Sequence, residues 1–87
     1  MSDYPPTPII FGADVSSTEI VIACANLNQA VKTIANNRQA IKAWLMQLPK
    51  DAVIGMEATG RYHCTLADGA VLHGHRVYVI NPKHLSL

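Results

Sequence analysis

Eighty-seven residues, nearly half of them apolar and only 15% charged, describe one small globular domain and exclude a disordered or solvating chain. A formal net charge of +1 excludes the strongly basic surface of a stand-alone DNA-binding module, so any nucleic-acid contact has to come from a local arrangement of Lys and Arg. No apolar stretch approaches the roughly 20 residues that span a bilayer, and no basic start leads into an apolar secretory segment, which points to the cytoplasm.

In chain order, residues 1–8 read as a flexible leader without chemistry, because Pro5, Pro6 and Pro8 exclude helix. The domain proper is 9–87. Residues 9–15 read as a first strand, 16–18 as a tight turn, and the β-branched run 19–25 as a second strand closing a hairpin. After the polar link Asn26-Leu27-Asn28, residues 29–35 alternate weakly, with Val31, Thr33 and Ala35 on one side and Lys32 on the other, which predicts a third strand. Asn36 or Asn37 caps a helix in which Ile41, Trp44, Leu45 and Leu48 recur at helical spacing, and Pro49 stops it. Trp44 is its core anchor rather than a base-stacking platform.

The short apolar run 52–56 suits a strand covered on both faces, and it delivers Glu57 at its end. Thr59 is then placed to cap a second helix over 60–73, with Tyr62, Leu66 and Ala70 in register, Gly69 weakening its middle and Gly74 stopping it. Residues 76–80 form a last strand, ended by Asn81-Pro82. Cys24 and Cys64 fall in the second strand and second helix without metal-ribbon or redox spacing, so both read as reduced structural thiols. His63, Cys64, His73, His75 and His84 likewise lack a zinc-ligand pattern.

Strand, strand, strand, helix, strand, helix, strand is an α/β order. Two antiparallel connections leave the third strand parallel to the first, and right-handed crossovers then place the fourth beside the first. The spatial order is 3-2-1-4-5, with both helices on one face because both crossovers step in the same direction. The other face of a largely apolar sheet is left bare, which calls for a carboxy-terminal portion beyond this sequence or for self-association as a homo-oligomer, such as a dimer.

The same topology brings the carboxyl ends of the first and fourth strands together, the edge where open α/β sheets place ligands. Asp14 and Glu57 stand there. Two carboxylates from neighbouring strands are the start of a divalent metal site, since Mg²⁺ takes oxygen ligands and keeps several waters. Against this stands a purely structural reading, in which Asp14 bonds to the amides of Ser16 or Ser17 and Glu57 accepts from Thr59 or from helix amides.

Taken as whole segments, Gly12-Ala13-Asp14-Val15-Ser16, Ile54-Gly55-Met56-Glu57-Ala58-Thr59-Gly60-Arg61-Tyr62-His63 and Gly74-His75-Arg76-Val77-Tyr78-Val79-Ile80-Asn81-Pro82 resemble the amino-terminal region of IS110-type transposases. That region is a DEDD domain related to the RuvC and RNase H nucleases. The resemblance implies an RNase H-like mixed sheet and metal-dependent phosphodiester chemistry in DNA transposition or recombination. It also implies catalysis and Mg²⁺ (or Mn²⁺) binding at Asp14 and Glu57, DNA as partner, a structured guide RNA, and a bacterial or archaeal host.

In that family two further aspartates and a serine in a later domain follow well downstream, beyond Leu87. Asp3, Glu19, Asp51 and Asp68 do not stand in for them, so the chain is expected to hold half a site, to bind metal weakly and not to cut DNA alone. Many relatives carry Lys where Ser17 stands, and that contact is missing here. Arg61, at the start of the second helix, and Lys83, with His84 beyond the last strand, are candidate phosphate contacts.

Two other function classes stay open. Asp14-Val15-Ser16-Ser17-Thr18 faintly matches the first phosphate loop of actin-like sugar kinases and ATPases, yet lacks the glycine that lets backbone amides approach phosphate. A non-catalytic dimerising or RNA-binding module is the other.

Overall fold

A computed structural model describes residues 7–81. The leader residues 1–6, the strand-ending Pro82, Lys83 and His84 lie outside the described residues. The elements are β1 (Ile10–Val15), β2 (Glu19–Cys24), β3 (Lys32–Ala35), α1 (Arg38–Met46), β4 (Val53–Glu57), α2 (Cys64–Leu72) and β5 (Arg76–Ile80). They form a small α/β domain built on one mixed five-stranded sheet of order β3-β2-β1-β4-β5. β2 is antiparallel to both its neighbours, and β1, β4 and β5 run parallel.

The β1–β2 hairpin closes through Ser16, whose amide donates to the Glu19 carbonyl at 2.9 Å while its hydroxyl accepts from the Glu19 amide at 3.2 Å. β3 begins at Lys32, three residues later than the sequence suggests. The link after β2 is too wide for a tight hairpin, and Gln29 turns back to donate to the Leu27 carbonyl instead of joining the ladder. α1 starts at the expected cap, with Asn37 Oδ1 accepting from the Ala40 amide at 2.8 Å. Such a cap is worth about 1 kcal/mol.

α2 departs most from expectation. It begins at Cys64, not at Gly60, because Gly60 takes φ +58° and so turns the chain left-handed before the helix can start. Residues 60–63 form a turn, in which the Tyr62 amide donates to the Thr59 carbonyl and the Cys64 amide to the Arg61 carbonyl. Thr59 is therefore not a helix cap. His63 occupies that position without a side-chain hydrogen bond to the helix. Tyr62, expected on the buried stripe with Leu66 and Ala70, is half exposed, whereas Leu66 and Ala70 are fully buried.

One core holds the domain together. Phe11, Val15, Ile20, Ile22, Ile54 and Met56 from the sheet pack against Ile41, Trp44 and Leu45 of α1 and Leu66 and Ala70 of α2. These sheet residues alternate along their strands, so all lie on one face, and both helices cover that face. Trp44 anchors α1 by meeting Phe11 edge to face, with ring centroids 5.3 Å apart and planes at 82°. That geometry adds about 0.5–1.5 kcal/mol beyond area burial.

Gly69 lets the helices approach: a Cβ there would lie 3.2 Å from Leu45 Cδ1 and 3.6 Å from Ile41 Cγ2. The thiols are both free, with Cys24 partly buried and Cys64 exposed at the start of α2 rather than inside it. No described helix is long and apolar enough to cross a membrane.

Candidate functional site

The face opposite the helices has no cover among the described residues. It carries Ile10, Gly12 and Asp14 from β1, Val21 and Ala23 from β2, Val53, Gly55 and Glu57 from β4, and Tyr78 and Ile80 from β5. These positions line one open depression. Its volume of about 730 Å³ falls within the range of small-ligand clefts, and its walls are mostly apolar. Tyr78 and Ile80 are 57% and 42% exposed.

Asp14 and Glu57 stand at one end of this face. β1 and β4 run parallel in the register Ile10↔Val53 to Ala13↔Met56, and each acid is the next residue after the last pair. Adjacent strands lie about 4.8 Å apart, so the two carboxylates share an edge, a face and a level. The registered pair Gly12↔Gly55 lies two residues back on the same face. With no side chains there, the floor beside the acids is left open.

Each carboxylate is exposed, and among the described residues neither has a hydrogen-bond or ion-pair partner. The structural roles available to them are filled by other groups. Ser16 closes the hairpin after Asp14, and the Thr59 amide donates to His63 Nδ1 at 3.4 Å rather than to Glu57. Two neighbouring exposed carboxylates are oxygen donors of the kind that divalent cations take. Among the described residues no three His, Cys, Asp or Glu side chains converge. Glu19 lies on the same face by strand alternation, but it pairs with Ala35 and is two residues along β2 from Val21, the partner of Asp14.

The other sequence candidates are not gathered in. Arg61 sits exposed in the turn before α2, three residues ahead of the helix, so the helix-dipole assistance expected at a helix start does not apply to it. Among the histidines, His63 serves the 59–63 turn. The His73 ring contacts the Gly69 carbonyl at 2.9 Å, and His75 is buried with Nδ1 unpartnered.

Three features were unread in the sequence. Thr59 lines the depression, and its Oγ1 is buried without a hydrogen-bond partner; its signal was masked by the expectation of a helix cap. The Gly12↔Gly55 pair was visible as the same Gly-x-acid spacing ahead of both Asp14 and Glu57. Asn36 was legible only as a spare asparagine beside the true cap, Asn37. No protein-family model matches the chain, and no curated protein matches it.

Proposed function

We propose that this chain is the amino-terminal part of an RNase H-like DEDD domain resembling those of IS110-type transposases. In this reading Asp14 and Glu57 contribute to a divalent-cation site for phosphodiester chemistry on DNA. One observation carries the reading: two exposed carboxylates without partners among the described residues, on the same face and at the carboxyl ends of adjacent parallel strands of a 3-2-1-4-5 sheet. Mg²⁺ or Mn²⁺ held there supplies charge stabilisation to the attacking and leaving oxygens of a phosphodiester.

The chain's own part is to hold two oxygen ligands at a fixed separation on rigid strands, with an open floor at Gly12 and Gly55 where a substrate backbone has room to lie. In this reading the remaining ligands come from outside the described residues, as does the cover of the bare face, either as further polypeptide or as a second copy. DNA and a guide RNA, in the cytoplasm of a bacterium or archaeon, are the partners and setting that the resemblance supplies.

The actin-like kinase reading gains no support. Both the amide and the hydroxyl of Ser16, in the segment that would have to cradle a phosphate, are committed to Glu19. No observation specifically favours a non-catalytic module.

The test is Mn²⁺ paramagnetic broadening of backbone amide signals in the chain and in Asp14→Asn and Glu57→Gln. Broadening centred on residues 13–16 and 56–59, abolished in both variants, is the expected outcome. Both variants should keep wild-type stability to within about 0.5 kcal/mol, because the replaced groups are exposed and unpaired. A folded sample with no localised broadening refutes a shared cation site in this chain. Mg²⁺-dependent DNA cleavage by the chain alone would show instead that the site is already complete.

A further inference from the structure

The β1–β4 ladder ends at Ala13↔Met56, one residue short of both acids. Beyond that point no ladder pairing joins Asp14 to Glu57, although a two-carboxylate site needs their separation held. The sheet holds each acid from its outer side, through Asp14↔Val21 and Glu57↔Ile80, but does not tie one to the other.

Asn36 does. It follows β3 and extends the edge ladder by one step, its amide donating to the Thr18 carbonyl at 2.9 Å. Its side-chain Nδ2 then donates to two carbonyl oxygens: Ser16, two residues after Asp14, at 2.8 Å, and Tyr62, in the turn after Glu57, at 3.0 Å. Both partners are acceptors only, so the NH₂ end of the amide is the end that faces them. The turn reached through Tyr62 is itself closed, by the Tyr62 amide on the Thr59 carbonyl and by the Thr59 amide on His63 Nδ1. Asn36 itself is partly buried.

We propose that Asn36 is a positioning residue for the Asp14–Glu57 pair: one side-chain amide ties the loop after β1 to the loop after β4 and sets the spacing of the two carboxylates. The inference rests on the cation-site reading for its consequence, but the tie itself is measurable without metal. Asn36→Asp keeps the shape of the side chain, removes both donors and turns a carboxylate oxygen toward two carbonyls. Asn36→Ala removes the donors without adding charge and serves if the Asp variant does not fold. Asn37→Ala is the control. It removes the cap of α1 one residue away and touches neither loop.

Two readouts are taken on the full 87-residue chain, amide hydrogen exchange and Mn²⁺ affinity from paramagnetic broadening. Loss of the tie should accelerate exchange at residues 16–18 and 60–62 together and weaken Mn²⁺ binding at least about 10-fold, the usual scale for removing a group that orients metal ligands. Asn37→Ala should do neither. Exchange that changes in only one loop, or equal effects in Asn37→Ala, overturns the proposal. If the wild-type chain shows no localised broadening, the cation reading fails and exchange alone decides: concerted loosening of both loops supports the tie, and its absence refutes it.

Discussion

At the scale of single residues, the site combines groups the sequence exposes with groups it conceals. Asp14 and Glu57 stand out because each ends an apolar run, and an acid in that position has few structural tasks. Thr59 is different. Ser and Thr just before a helix usually cap it, and nothing in Ala58-Thr59-Gly60 shows that Gly60 takes φ +58° and delays the helix to Cys64. The resulting hydroxyl is buried and unpaired, a condition that costs about 1–3 kcal/mol. Thr59→Val keeps the shape and removes the orphan group. Thermal unfolding should therefore show a gain of about 1 kcal/mol in the isolated chain, or roughly 4–8 °C for a domain of this size. An unchanged or lower midpoint would mean that the hydroxyl finds a partner in solution.

At the scale of elements, periodicity located every strand and helix, and the errors fall at boundaries. Hydrophobic spacing reports which face is buried, but the first residue of a helix depends on a backbone torsion. α1 began where its Asn caps predicted because the cap is a local side-chain bond. α2 did not, because its start is decided by a left-handed turn. Gly69 illustrates the same limit. In sequence it is a weak point in a helix, whereas in the structure it is the place where α2 passes Leu45 and Ile41 of α1. Gly69→Val would drive two methyl groups into that contact, and denaturant unfolding should register a loss of about 1–3 kcal/mol, the scale of overpacking. A neutral result would show that the two helices separate at little cost.

At the scale of the whole molecule, the two-layer arrangement of the described residues leaves one sheet face apolar and open. Val21, Val53, Tyr78 and Ile80 line that face, and apolar patches of this kind mark interaction surfaces. Light scattering on the isolated chain should show concentration-dependent association, and Tyr78→Lys should reduce it without loss of fold, since Tyr78 is already 57% exposed. A stable monomer over the same concentration range would count against the face being self-associating. By itself the sequence determined the element order, the α/β class, the strand order and the two acids at strand ends. Each of these follows from local periodicity and from the handedness of strand connections, which are properties of short segments and chirality. Only the tertiary structure decided that Asp14 and Glu57 lack partners among the described residues, that Gly12 and Gly55 stand side by side next to them, and that Asn36 spans the two loops. Those facts arise from register and from contacts between residues as far apart as 36 and 62, and a one-dimensional pattern holds no record of where two distant turns meet.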